Sequence, residues 1–156
     1  MSDILIRHAD NNDLDDLLAL FRDLADGRST AAPADNTTSA PVLAEILADP
    51  RRHLMVATVD DRLVGTAEVL IVANLTHQGR PWAVVENVVV SESMRRQGVG
   101  HELMQRLIDM AREADCYKLQ LTSGKHRTGA HEFYRSLGLQ AVAEGLKTYF
   151  EETAHD

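Results

Sequence analysis

A run of β-branched residues that passes through two closely spaced glycines into an amphipathic stretch admits few folds. In this chain the run is WAVVENVVVSE, residues 82–92. It leads through Arg95-Arg96-Gln97-Gly98-Val99-Gly100 into HELMQRLIDMAREA, residues 101–114. β-Branched side chains crowd a helix but fit a pleated sheet. Apolar residues on both faces, broken only at Glu86 and Asn87, predict a central strand. Leu103, Leu107, Met110, Ala111 and Ala114 then share one face at helical spacing. A strand therefore turns directly into a helix, whose first backbone N–H groups have no intrahelical partners. Glycines keep side chains away from those groups, and Arg95 and Arg96 add positive charge. The junction is suited to an anion, most often a phosphate.

The other elements place this junction. Asp10 stands at a helix N-cap position with Asp13 three residues on, and Leu14, Leu17, Leu18, Phe21 and Leu24 continue at helical spacing. The stretch DGRSTAAPADNTTSAP, Asp26 to Pro41, reads as a long loop, followed by a short helix from Val42 to Asp49 that Pro50 stops. HLMVATVD and LVGTAEVLIVANL read as two strands joined by a tight turn at Asp60-Asp61-Arg62. After the junction helix come a strand, CYKLQLTS, a loop, GKHRTG, a short helix, AHEFYRSL, and a last β segment, LQAVAEGLKTYF. The order predicts a mixed α/β sheet with an antiparallel first half and a β-α-β crossover in the second. The crossover puts the glycine junction at the carboxyl end of a central strand, where such sheets bind ligands. With 156 residues and no internal repeat, the reading is one domain, residues 1–156.

Composition narrows the function classes. Net charge is −8, from 16 basic and 24 acidic residues, which disfavours nucleic acid as a partner. The basic residues that cluster, Arg95-Arg96 and Lys125-His126-Arg127, suit a small anionic ligand instead. No apolar run approaches the ~20 residues of a membrane span, and MSDILIRHAD does not read as a signal peptide. The single cysteine, Cys116, forms no intramolecular disulfide and reads as a core thiol, so a cytoplasmic location is expected. The seven histidines show no metal-ligand spacing, and no metal is expected.

Two phosphate loops fail on inspection. Gly124-Lys125 lacks the earlier glycine of a Walker A loop and is followed by histidine. Gly98 and Gly100 fit the start of a dinucleotide fingerprint, but position 103 is leucine. What remains is R-x-x-G-x-G after ENVVV and before a helix, then CYKLQL and AHEFYRSLGL. Over residues 82–140 this resembles the GCN5-related N-acetyltransferase (GNAT) superfamily. AHEFYRSLGL is similar to the family ending A-x-x-F-Y-x-x-x-G-F, with Leu139 in place of the usual phenylalanine.

The resemblance implies a mostly antiparallel sheet whose fourth and fifth strands form a splayed parallel pair flanked by helices. It implies an acetyl-CoA-dependent N-acetyltransferase that acts directly on a primary amine, more readily of a small molecule than of a protein lysine or N-terminus. A CoA-binding regulatory module without turnover is the alternative, and family habit implies a homodimer. Backbone groups of Val88, Val89 and Val90 would pair with the pantetheine arm, while their side chains stay in the core. Gln97, Gly98, Val99, Gly100 and His101 would supply amides to the pyrophosphate, with Arg95 and Arg96 adding charge. Tyr134 is the candidate proton donor to the departing thiolate, whose conjugate acid titrates near ~8.5. Glu86, an acid inside an apolar strand, is the candidate base or amine ligand, because its burial is costly unless it is used or paired. Many relatives carry asparagine where this chain has Arg127, so Arg127 or Lys125 would meet the adenosine phosphates instead.

Overall fold

A computed structural model describes residues 2–25 and 31–150 of the chain. The elements are β1 (Leu5–His8), α1 (Leu14–Ala25), α2 (Asn36–Ala48), β2 (Arg52–Val59), β3 (Arg62–Val72), β4 (Trp82–Val90), α3 (Val99–Glu113), β5 (Leu119–Gln120) and α4 (Thr128–Ser136). They divide into two compact units, one ending at Gln120 and the other beginning at Leu121.

The first unit is a five-stranded sheet in the order β1-β2-β3-β4-β5. The first four strands are antiparallel, and β4–β5 is parallel. This is the mixed sheet expected from the element order. The β2–β3 connection uses Asp60 and Asp61, both left-handed at φ 49° and 60°, a two-residue turn whose twist matches the flanking strands. In β4 the ladder slips once. Thr66 faces Val89 and Glu68 faces Glu86, so Asn87 and Val88 together stand opposite Ala67. Asn87 takes φ 53° to make this bulge, a conformation asparagine tolerates better than most residues.

Helices cover the two faces. Leu54 and Val56 of β2 point toward α1 and α2, where they join Leu17 and Leu43 in a buried cluster. Alternation sends Ala57, paired with Gly65, to the opposite face, and there α3 docks. A side chain at Gly65 would meet Val99 Cγ1 at 3.0 Å, Leu103 Cδ1 at 3.1 Å and the Val89 carbonyl oxygen at 3.3 Å. Gly65 thus lets the first turn of α3 lie against the sheet. The α3 core face holds Val99, Leu103, Met104, Leu107, Met110 and Ala111, while Ala114, assigned to it by spacing, is an exposed C-cap.

Several sequence expectations are corrected. β1 was not anticipated, because four residues with charged neighbours carry no readable periodicity; the strand is held by pairing with the edge of β2. Its Arg7 forks onto Asp13 with two 2.8 Å bonds, and the Asp10 N–H donates to Asp13 at 2.8 Å. The Arg7 bond, opposed by partial burial, holds the Asp13 carboxyl below the usual carboxylate range. α2 begins at Asn36 rather than Val42, capped by Asp35, whose carboxylate accepts the Thr38 N–H at 2.8 Å. Residues Asn36 to Pro41 are therefore helical, with Pro41 inside the helix, and the first five residues of the expected loop lie outside the described residues. CYKLQLTS contributes only Leu119–Gln120 as strand.

In the second unit, LQAVAEGLKTYF forms no strand. β-Propensity becomes a strand only against a partner ladder, and none pairs with this segment among the described residues. Val142, Leu146 and Phe150 are consequently exposed. α4 starts at Thr128, two residues before the expected stretch, and the chain leaves it through Gly138 at φ 90°.

Gly65→Val is expected to destabilise the protein by about 1–3 kcal/mol through overpacking against Val99 and Leu103. Urea unfolding with an unchanged m-value measures it. A loss below about 0.5 kcal/mol would mean that α3 shifts freely on the sheet.

Candidate functional site

β4 pairs with β3 from Trp82 to Val90, but with β5 only at Ala83–Leu119 and Val84–Gln120. Past Val84, its edge away from β3 has no strand partner among the described residues. Val88, Val89 and Val90 lie on this stretch. Val89 is buried and its neighbours are half-buried, so the side chains serve the core while backbone groups line the open edge.

The chain leaves β4 through Ser91, whose N–H donates to the Val64 carbonyl at 2.8 Å. Arg95 Nε donates to the Val90 carbonyl at 3.2 Å, and Gln97 Nε2 to the Ser93 carbonyl at 3.0 Å. These bonds fold the loop back on itself. Arg96 takes φ 60° and Gly98 φ 90°, the latter as the N-cap of α3. The first backbone bond of α3 runs from the Glu102 N–H to the Gly98 carbonyl at 3.0 Å. The N–H groups of Gly98, Val99, Gly100 and His101 have no acceptor among the described residues. The Arg96 side chain is exposed and likewise unpaired among them, whereas Val99 is anchored in the core by its side chain. Ser91 Oγ is buried without a partner.

Glu86 does not carry the burial cost expected of it. It is exposed on β4. The buried acid is Glu68, directly across the ladder on β3 and only 2% exposed. Arg52 holds it in a fork, Nε to Oε2 at 2.6 Å and Nη2 to Oε1 at 3.0 Å, and Asn87 Nδ2 donates to Oε1 at 3.0 Å. Glu68, Arg52 and Asn87 escaped the sequence reading. The signal that singled out Glu86, an acid inside an apolar run, is equally present at Glu68 in VGTAEVLIV. The Glu68 bond raises the Arg52 pKa against the opposing effect of burial, and Asp49 and Glu45 add to the raise.

These three side chains border a cavity of about 290 Å³ beneath α1 and α2. Its walls include Leu14, Leu18, Phe21, Val42 and Ile46, and Pro33, Ala34, Thr38 and Ser39 also contribute. Part of the stretch read as a loop, Asp26 to Pro41, therefore lines a cavity.

In the second unit, α4 begins just after Arg127, which stands at its N-cap. His131 Nε2 lies 2.8 Å from the Gly124 carbonyl and ties the preceding loop to the helix. Tyr134 is half-buried beside Phe133, with ring centroids 5.2 Å apart. Burial pushes its hydroxyl pKa up, and the nearby Arg127 offsets part of that. The hydroxyl thus keeps its proton at neutral pH, as a proton donor requires. Ser123 Oγ is buried without a partner. In the first unit, burial, helped by Asp115, raises the Cys116 thiol, as in an unreactive structural cysteine. Among the described residues, no three His, Cys, Asp or Glu side chains gather as a metal would need, and no helix is long and apolar enough to cross a membrane.

Residues 15–139 match the model of the Acetyltransferase (GNAT) family. The chain is 33% identical over 145 residues to the glucosamine 6-phosphate N-acetyltransferase of Trypanosoma brucei brucei, an alignment covering 89% of this chain and 90% of that protein. It is 28% identical over 130 residues to the aminoalkylphosphonate N-acetyltransferase of Salmonella typhimurium, covering 83% and 80%. The solved structure of a Trypanosoma brucei acetyltransferase matches with a TM-score of 0.81 at 27% identity, over 95% of this chain and all of that one (100%).

Arg52→Met would leave the Glu68 carboxylate buried with only Asn87 as donor, and is expected to cost about 3 kcal/mol of stability. The double variant Arg52→Met/Glu68→Leu should recover most of that loss, because no buried charge remains. Urea unfolding of the three forms decides; equal losses in the single and double variants would assign the cost to packing.

Proposed function

Because the chain belongs to the Acetyltransferase (GNAT) family, we propose that it transfers an acetyl group from acetyl-CoA directly to the primary amine of a small molecule. The observation that carries this reading is continuous backbone. The open edge of β4 runs into a loop whose N–H groups from Gly98 to His101 have no acceptor among the described residues. An extended pantetheine arm satisfies such an edge, and a pyrophosphate satisfies such amides. The unpartnered Ser91 Oγ between them fits a polar ligand as well.

Acetyl-CoA supplies the activated thioester. Val88 to Val90 offer their backbone groups to the arm, and Gln97 to His101 offer amides to the pyrophosphate. Arg96 adds a free positive charge; Arg95, already bonded to the Val90 carbonyl, also steadies the loop. Arg127, at the N-cap position of α4, would meet a further phosphate of the cofactor.

In the transfer, the amine nitrogen bonds to the acetyl carbonyl carbon, the carbon–sulfur bond breaks, and sulfur leaves with the bonding pair. Tyr134 donates the proton that turns this thiolate into a thiol. Glu86, exposed beside Asn87, takes a proton from the ammonium through water or holds the amine before attack. As the amide forms, the nitrogen loses its second proton to solvent, Glu86 releases the proton it took, and the tyrosinate regains its own from solvent. The relatives named for glucosamine 6-phosphate and for aminoalkylphosphonates support a small-molecule acceptor.

Two variants test the reading. Gly98→Val forces a β-branched residue to φ 90° and puts a side chain among the amides. Acetyl-CoA affinity, measured by calorimetric titration, should fall by at least about tenfold, the effect of losing a single good hydrogen bond. Wild-type affinity in a folded variant would remove the loop from the site.

Tyr134→Phe keeps the ring and deletes the donor. Single-turnover transfer should slow by roughly 10²–10⁴-fold with acetyl-CoA affinity little changed. Because burial raises the tyrosine, the alkaline limb of the wild-type rate should lie above pH ~10 and vanish in the variant. A Phe variant within about threefold of wild type would return Tyr134 to a packing role.

A further inference from the structure

We infer that the cavity beneath α1 and α2 receives the acceptor, and that this acceptor is a cationic amine on an apolar body, such as an arylalkylamine, rather than a phosphorylated amine. The inference rests on the acetyl-transfer reading above and adds the chemistry of the second substrate.

Three features of the cavity carry it. The first is its lining. Leu14, Leu18, Phe21, Val42 and Ile46 present hydrocarbon, Thr38 and Ser39 add hydroxyl-bearing residues from α2, and the charged groups converge where Arg52, Glu68 and Asn87 meet. An apolar pocket with a few convergent polar groups binds an apolar body and orients one polar end.

The second is charge. Arg52 is the only Lys or Arg among the described lining residues, and its fork is filled by Glu68. Asp49 and Glu45 act on the same guanidinium, and Glu86 stands across the ladder from Glu68 on the same strand face. Arg52 thus answers three carboxylates, of which Glu68 lines the cavity. Among the described lining residues a phosphate would find no free guanidinium and a like charge at Glu68, whereas an ammonium finds acceptors. Glu68 accepts three bonds, two at Oε1 and one at Oε2, which leaves a lone-pair site on Oε2. Asn87, having donated its amide N–H to Glu68, still offers its own oxygen.

The third is position and size. Asn87 forms the β4 bulge next to Val88, the start of the stretch proposed to hold the thioester arm, so an amine at Asn87 lies beside that stretch. The volume, about 290 Å³, holds on the order of ten waters, enough for a ring and a short arm but close-fitting for a sugar phosphate.

The test uses the full chain with three probes, phenethylamine, glucosamine 6-phosphate and inorganic phosphate. Calorimetry measures binding, and steady-state acetylation with acetyl-CoA is measured for the two amines. Phenethylamine should bind, inorganic phosphate should not compete with it, and its kcat/KM should exceed that of glucosamine 6-phosphate by at least about 100-fold. Val42→Trp, at a rim position 52% exposed, should weaken phenethylamine binding and raise its KM by about tenfold or more while acetyl-CoA affinity stays unchanged. Thr38→Trp, also at the rim, provides a second blocking variant if the first fails to fold.

Preference for glucosamine 6-phosphate would overturn the inference and leave the transfer reading intact. Unaltered phenethylamine binding in both blocking variants would likewise overturn it. Binding that the variants abolish, in a protein that acetylates neither amine, would support the cavity assignment and sink the transfer reading.

Discussion

Hydrogen bonding along β4 is the constraint on which the rest of the first unit depends. One edge of the strand is tied to β3 from Trp82 to Val90, and the other is tied to β5 for two residues before the pairing ends. Exposed strand edges invite partners, so a strand left half-paired inside a sheet is maintained only where something else uses it. The packing of α3 against Gly65 holds the end of β4 and the following loop in register with that open edge. Because Val99 is buried by its side chain, the helix start cannot drift, and the free N–H groups around it keep a fixed direction. Edge, loop and helix start therefore form one continuous backbone surface that needs few specialised side chains.

The bulge at Asn87 links this surface to the face beneath α1 and α2. One extra residue in β4 changes the phase of the alternation, so Glu86 and Val89 both share the face that carries Thr66 and Glu68. The same bulge brings the Asn87 amide to Glu68. Arg52 and Asn87 together convert a buried carboxylate, which would otherwise be expensive, into a satisfied one. A fully satisfied buried ion pair adds little net stability, but it fixes a polar floor under an otherwise apolar cavity. The thioester side of the proposed site is thus built from backbone, and the acceptor side from side chains.

Much of this architecture was legible in local patterns. The β-branched run, the glycine pair, the α3 stripe up to Ala111 and the Asp60-Asp61 turn each state their conformation within a few residues and appear where expected. β1 and the full span of α2 were not legible, because one is a short edge strand held by its neighbour and the other begins at a cap inside a polar stretch. LQAVAEGLKTYF shows the converse error, a β-prone composition without a ladder to join. At the site, Glu86 drew attention for a reason that belonged to Glu68. Both are acids in apolar runs, and only the packing of α1 and α2 distinguishes the buried one from the exposed one.

The sequence by itself determined the strand–glycine–helix junction and the family resemblance. These properties depend on neighbouring residues and on side-chain chemistry. Tertiary structure alone decided which of Glu68 and Glu86 is buried, which cation answers it and where the cavity beneath α1 and α2 opens. Arg52 and Glu68 are 16 residues apart, and Asn87 lies 19 beyond Glu68, so their meeting depends on strand register and on a one-residue bulge. A shift of one residue in either strand would turn Glu68 to the other face and dissolve the cluster. Register is a cooperative property of the whole sheet, and no local stretch of the chain encodes it.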